Sequence, residues 1–276
     1  MIPSSFEYVR AGSIEQTLDL LNEHGDAAKL LAGGHSLLPL MKLRLASPDV
    51  LVDIGRLAEL AYVGDGGDYV AIGALTTHDE VSRSPLIAAE LPVLAHVAGQ
   101  IGDPQVRHRG TIGGSIAHGD PASDLPAVAL ALGGTYVLTG PSETREVRAA
   151  DFHLGFLETA VAPDEILTEI RLPKMAGGGW GFEKLTKRAQ DWAIVGAVAV
   201  RLDGNGSVGV GLINVGSVPA RALSVEAAVA SGAGAAEAAA QADTGIEVTG
   251  DLNASAAFRR HLTRVLVERA LAKALA

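Results

Sequence analysis

Two stretches of the sequence set a glycine pair between an apolar run and a hydroxyl side chain: "LLAGGHSLLPLMKLR" at residues 30–44 and "TIGGSIAHGDPASDLPA" at residues 111–127. A glycine-rich turn after a strand exposes consecutive backbone N–H groups, and with a helix N-terminus behind it makes a cradle for phosphate oxygens. Each pair taken alone also reads as a tight turn, because glycine reaches positive φ without steric cost. Two such loops in one chain point to one ligand held from two sides, and two cradles suit a diphosphate. The spacing is neither G-x-G-x-x-G nor a loop ending in Gly-Lys-Ser/Thr, which disfavours a standard dinucleotide fold or a kinase-like phosphate loop. Nearby, His118 beside Asp120 gives two candidate metal ligands, too few for a site. The basic cluster "QVRHRG" at residues 105–110 answers either the diphosphate charge or a partner.

Composition narrows the setting. With 276 residues and 48% hydrophobic content, the chain can form two or three units with real cores. A formal net charge of −10 and no basic stripe argue against a nucleic-acid partner. There is no cysteine, so this chain supplies no disulfide, thiolate metal ligand, cysteine nucleophile or iron–sulfur ligand. The start "MIPSSFEYVRAG" lacks a charged segment followed by an apolar one, and no run of about 18 apolar residues occurs. The cytoplasm is the expected location.

Strands and helices must position the two loops. "SIEQTLDLLNEHG" reads as an amphipathic helix with Ser13 as N-cap, Gln16 as capping-box partner and Gly25 after the last turn. "AAKLLAGG" reads as a strand ending in the first glycine pair, and "SLLPLMKLRLA" as a helical turn leaving it. "VLVDI" and "DYVAIGALTT" read as further strands. "HDEVSRSPLIAAELPVLAHVAGQIG" is helical in pattern, broken at its prolines. Asp120 is placed to cap a helix with Pro121 at its first position, ended by Gly133 and Gly134, before the strand "TYVLTG". A boundary is expected near "LPKMAGGGWGFEK". Beyond it "AIVGAVAVRLDGNGSVGVGLINVG" predicts two strands joined by an Asp-Gly-Asn-Gly hairpin. The Ala-rich "VEAAVASGAGAAEAAAQADTG" predicts helix with a Gly-containing break, with a linker as the alternative. The last segment predicts a basic amphipathic helix docking on the core through Phe258, Leu262, Val265, Leu266 and Leu271, with contact to a membrane surface as the alternative.

These motifs carry a resemblance. "AGGHSLLPLMKLR" at 32–44 and "TIGGSIAHGDPASDLPA" at 111–127 resemble the paired flavin loops of the medium, FAD-binding subunit of molybdenum hydroxylases. The likeness is nearest to the aerobic carbon monoxide dehydrogenase type, within the xanthine dehydrogenase family. It extends through "FEKLTKRAQDWAIVGAVAV" at 182–200 and covers nearly the whole chain. The resemblance implies an α+β protein with the vanillyl-alcohol-oxidase (PCMH-type) FAD-binding fold. FAD-binding subdomains at residues 1–55 and 56–173 would clasp the cofactor, and residues 174–276 would form a C-terminal domain with a three-stranded antiparallel sheet and helices.

By residue matching, Ala32, Gly33, Gly34, His35 and Ser36, with Thr111, Ile112, Gly113, Gly114 and Ser115, would hold the diphosphate, chiefly through backbone N–H groups. Asp124 matches an acidic cofactor contact, Ile101 and Leu167 match apolar residues near the flavin, and Lys184 matches a basic flavin contact that Lys187 could replace. Trp192 matches an aromatic residue facing the flavin ring. From the residues alone, Asp124 is also a first-turn helix acid, Lys184 a solvated strand charge and Trp192 a packing residue. His35 is expected to stabilise its loop, since this family does its substrate chemistry elsewhere. No metal ligand and no catalytic residue are expected in this chain. The resemblance implies non-covalent FAD taking electrons from the two [2Fe–2S] clusters of a small subunit, with substrate oxidised at the molybdenum cofactor of a large subunit. Assembly as a dimer of heterotrimers is implied, in the cytoplasm or at the inner face of the membrane through the complex. The external acceptor would be quinone, NAD or oxygen. The alternatives are a self-contained flavin oxidase or dehydrogenase, and a cofactor-free scaffolding protein.

Overall fold

The computed structural model describes residues 2–175, 177–202 and 207–276. The first unit contains β1 (Glu7–Arg10), α1 (Ile14–His24), β2 (Ala28–Leu31), α2 (Leu37–Lys42) and β3 (Val50–Asp53). Its strands form a parallel sheet in the order β1-β3-β2. Ser13 caps α1 as expected, accepting from the Gln16 N–H, and Gly25 at φ 52° ends it. Gln16 reaches one residue further back than a capping box requires, accepting from the N–H of Gly12 at 2.7 Å. Leu18 and Leu21 of α1 pack on Val50 and Val52, which fixes the sheet from which the first glycine loop emerges.

The second unit runs through β4 (Val63–Asp65), β5 (Tyr69–Gly73), α3 (His78–Arg83), α4 (Pro85–Glu90), α5 (Pro92–Gly99), α6 (Pro104–Arg107), α7 (Ile112–Ala117) and α8 (Asp124–Leu132). It continues with β6 (Thr135–Thr139), β7 (Thr144–Arg148), α9 (Ala149–Phe152), β8 (His153–Gly155), β9 (Glu158–Thr159) and β10 (Ile166–Pro173). The main sheet is antiparallel throughout, in the order β4-β5-β10-β6-β7. Pro85, Pro92 and Pro104 each open a helix, where the missing N–H costs nothing. Asp120 does not cap α8. Its carboxylate instead accepts from the Ala122 N–H at 2.8 Å, so a turn occupies residues 120–123 and the helix begins at Asp124. Gly133, at φ 69°, ends α8 in the left-handed conformation.

The third unit is a sheet of β11 (Trp180–Thr186), β12 (Ala193–Arg201), β13 (Val208–Ile213) and β14 (Ala220–Arg221), followed by α10 (Leu223–Ala230), α11 (Ala235–Ala239) and α12 (Ala256–Leu275). Three strands were expected; the two residues of β14 pair with Gly211 and Leu212 and add a fourth. The Asp-Gly-Asn-Gly turn lies outside the described residues, and the strands it joins pair antiparallel up to Arg201 and Val208. The docking face of α12 also differs from expectation. Phe258 is exposed, while Arg259, 2% exposed, is buried with Thr263, Leu266, Val267, Ala270, Leu271 and Ala274. Arg259 can be buried because its guanidinium donates to the carbonyls of Ile194 and Asn214 and pairs with Asp251 at 2.7 Å.

This third sheet is covered on both faces. A Cβ at Gly179 or Gly181 would fall 2.3 or 2.2 Å from the carbonyl oxygens of Ala274 and Ala270, so β11 accepts α12 at backbone distance. On the other face a Cβ at Gly209 or Gly211 would fall 1.9 or 2.1 Å from the carbonyls of Ala131 and Ala127, so β13 seats α8 of the preceding unit. Phe182, Val198, Val200 and Ile213 therefore belong to the same core as Val128 and Leu132.

Candidate functional site

Where the first two units and the third meet lies a cleft of about 870 Å³, within the range of small-molecule sites. Two glycine loops form one wall. Gly34 sits at φ 79°, a conformation that other side chains rarely adopt, and turns the chain from β2 into α2. Gly33 rests on the second loop, where a Cβ would lie 2.0 Å from the Arg109 carbonyl oxygen. The backbone N–H groups of Gly33, Gly34, His35 and Ser36 have no acceptor among the described residues. Unpaired backbone donors in a folded chain are rare, and a consecutive set bordering a cleft is an anion-binding concavity.

The second loop is engaged differently. The N–H groups of Ile112 and Gly113 donate to the carbonyls of Thr76 and Ala74, and that of Ser115 to Thr111. The Gly114 N–H donates to the Thr111 hydroxyl at 3.1 Å. Its polar offering to the cleft is therefore mainly hydroxyl groups, with the Thr111 N–H the one amide of residues 111–115 that has no acceptor among the described residues. A Cβ at Gly113 would lie 2.5 Å from that of Ala74, which is why glycine is needed there. Arg107 of the basic cluster donates to the carbonyls of Ile101 and Gly102 at 2.9 and 3.0 Å, holding the turn that presents Ile101.

Elsewhere in the cleft Asp124, in the first turn of α8, meets Lys184 of β11 at 2.7 Å, with side chains 5% and 10% exposed. The other oxygen of Asp124, Oδ1, is buried without a donor. Burial pushes the Asp124 carboxyl above the usual carboxylate range, and Lys184 opposes it. At the mouth stand Leu157 and Gln190, both at positive φ, and Trp192, 60% exposed. Behind Trp192, Asn214 donates to the Ala193 carbonyl at 2.5 Å and its own N–H reaches Pro121 at 2.8 Å.

Residues 4–175 match the family described as the FAD binding domain in molybdopterin dehydrogenase, and residues 180–274 match the carbon monoxide dehydrogenase flavoprotein C-terminal domain. The chain belongs to this family. The carbon monoxide dehydrogenase medium chain of Hydrogenophaga pseudoflava is 49% identical over 74% of this chain and 72% of its own. The 6-hydroxypseudooxynicotine dehydrogenase complex subunit alpha of Paenarthrobacter nicotinovorans is 38% identical over 100% of this chain and 96% of its own. Among solved structures, carbon monoxide dehydrogenase from Hydrogenophaga pseudoflava superposes with a TM-score of 0.96 at 42% identity, covering 100% of this chain and 99% of the other. This molybdopterin-dehydrogenase flavoprotein is thus an oxidoreductase subunit whose cofactor is FAD, and its α+β fold is the one expected from the motifs.

The flavoprotein's own residues fit that cofactor. Acceptor-free amides complement phosphate oxygens, and the orphaned Asp124 oxygen awaits a donor. Ala32, Gly33, Gly34, His35, Ser36, Ile101, Thr111, Gly113, Gly114, Ser115, Asp124, Leu167, Lys184 and Trp192 all line the cleft. Ile112 does not: its side chain, 1% exposed, points into the core beneath the loop. Lys187 lies exposed outside the lining. His78, Gly110, the β8–β9 hairpin residues Leu157 to Thr159, and Gln190 also line the cleft, and sequence reasoning missed them. For His78 a signal existed. "TTHDE" is a capping box in which Thr77 accepts from Glu80, so His78 opens α3, but only the Thr77–Thr111 bridge brings it to the loops. Among the described residues no helix is long and apolar enough to cross a membrane.

Proposed function

We propose that the chain is the flavin station of a molybdenum hydroxylase complex of the carbon monoxide dehydrogenase kind. The amides of residues 33–36 and the hydroxyls of Thr111 and Ser115 would hold the diphosphate of non-covalently bound FAD. Bound there, FAD would supply the redox chemistry, electron uptake and transfer to an external acceptor, quinone, NAD or oxygen. The protein's part is to bind and orient. The buried Asp124–Lys184 pair would offer the bound flavin a fixed acceptor and donor, Ile101 and Leu167 would exclude water from it, and Trp192, at the mouth, would shield it from solvent. Residues 1–55 and 56–173 act as the clasp and residues 174–276 as the third wall.

Electrons arrive from outside the chain. With no cysteine, the chain cannot ligate an iron–sulfur cluster through thiolates, so the clusters belong to a small subunit and substrate oxidation to a large molybdenum subunit, in a dimer of heterotrimers. The observation that carries the reading is the row of acceptor-free amides in the first glycine loop. The test is titration of the purified apo chain with FAD and FMN. FAD should bind and be released by acid. Reduced by dithionite, the loaded chain should be reoxidised by an acceptor, yet not turn over carbon monoxide or a purine. Preference for FMN, or substrate turnover by the chain alone, would overturn the reading, the latter in favour of a self-contained dehydrogenase.

A further inference from the structure

His78 stands out among the cleft residues as a buried polar side chain with no partner. It opens α3, its N–H donates to the Gly110 carbonyl at 2.9 Å, and its ring packs against Gly110, where a Cβ would lie 2.9 Å from Cδ2 and 3.0 Å from Nε2. The residue is 4% exposed. Nδ1 is sealed off without a hydrogen bond, and neither ring nitrogen has a partner among the described residues. Nε2 is not sealed off in this way, and the residue borders the cleft where the second loop approaches Gly33. Burial, then electrostatic repulsion from the neighbouring His35 and Arg107, push the imidazole pKa down to about 4, so at neutral pH the ring is uncharged and carries one N–H. Nε2, the one ring nitrogen open to the cleft, has no protein partner among the described residues, and a polar group left unmet there costs stability that a ligand acceptor would restore.

We propose that His78 is a cofactor-binding residue that donates its Nε2–H to an anionic oxygen of bound FAD at the junction of the two glycine loops. This rests on the reading of the cleft as the FAD site. The sealed Nδ1 leaves Nε2 as the nitrogen that reaches a ligand, and an uncharged ring can donate from it without the desolvation cost of a buried imidazolium. The residue thus adds a side-chain N–H donor on the second loop's side of the cleft, where the amides of residues 112–115 are bonded internally.

The test uses the full-length apo chain titrated with FAD, followed by quenching of flavin fluorescence, in the parent and in His78→Gln, His78→Phe and Gly34→Val. A hydrogen bond to a charged acceptor is worth about tenfold or more in affinity. His78→Phe should weaken FAD binding at least about tenfold, while His78→Gln, which keeps an N–H donor, should stay close to the parent. The ³¹P signals of bound FAD should move in His78→Phe. In the parent, FAD addition should shift the ring ¹⁵N signals of His78, a measurement that stands even if His78→Phe fails to fold. Parent-like affinity in His78→Phe with loss of FAD in Gly34→Val would reduce His78 to packing and leave the site reading intact. Parent-like affinity in Gly34→Val as well would remove the cleft assignment itself, and unchanged ring signals on FAD addition would also overturn the proposal.

Discussion

Lys184→Met should be among the most damaging single substitutions in the cleft. Lys184 Nζ and Asp124 Oδ2 are 2.7 Å apart and buried, joining the first turn of α8 to β11. At an effective dielectric of about 20 their attraction is about 6 kcal/mol, opposed by several kcal/mol of desolvation per ion. The pair as a whole contributes little, but removing one partner strands a buried charge, at a cost of about 3–5 kcal/mol. Urea unfolding of the apo chain at pH 7 should show that loss in Lys184→Met. The double variant Asp124→Asn/Lys184→Met should recover most of it, because no charge is left unpaired. The pH dependence has a definite sign. Burial already raises the Asp124 pKa and Lys184 holds it down, so without the lysine it rises further. The folded variant then takes up a proton more readily than the unfolded chain, and its deficit relative to the parent should shrink as pH falls. A deficit below about 1 kcal/mol at pH 7, the scale of an exposed pair, or one that widens on acidification, would refute the reasoning.

Gly33→Ala should lose FAD and unfold more easily, since its Cβ would lie 2.0 Å from the Arg109 carbonyl and one of the loops must move; parent-like flavin content and melting would contradict this. Burial pushes His153 down to a pKa of about 4, so the unfolded chain protonates first and the folded state loses about 3 kcal/mol between pH 6.5 and 4. His153→Leu should flatten that acid limb, His78 keeping the part it causes, and an unchanged profile by chemical denaturation would count against it. Trp192→Ala should leave stability within about 0.5 kcal/mol, because the residue is 60% exposed, yet raise bound-flavin fluorescence and alter the reoxidation rate. If emission and reoxidation match the parent, Trp192 does not cover the ring.

The sequence could announce what depends on neighbours along the chain. Ser13, Gly25 and Gly133 mark helix ends through contacts within a turn, and the glycine pairs announce the cleft because Gly34 needs its positive φ whatever surrounds it. Errors arose where a polar side chain had two short-range options. Asp120 could cap a helix or close a turn, and it closes the turn. The docking face of α12 escapes apolar periodicity because Arg259 finds the Ile194 and Asn214 carbonyls far away in sequence. The division of labour between the loops was equally hidden. Whether an amide is free depends on the Thr76 and Ala74 carbonyls, brought there by the sheet of the second unit. His78 depends on the same kind of non-local pairing, the Thr77–Thr111 bridge.

The alternation Val-Gly-Val-Gly in β13 bears on modularity. Gly209 and Gly211 are shaped by α8, a helix about eighty residues upstream in another family segment, and α8 carries Asp124 at its start. A chimera that joins the first 175 residues of this chain to a relative's C-terminal segment therefore inherits a matched surface only if the donor strand has glycines at both positions. With a side chain there, α8 would be pushed off the sheet and would carry Asp124 away from Lys184. The two segments are separable as text and inseparable as parts, so shuffling among these flavoproteins should succeed when β13 and α8 travel together.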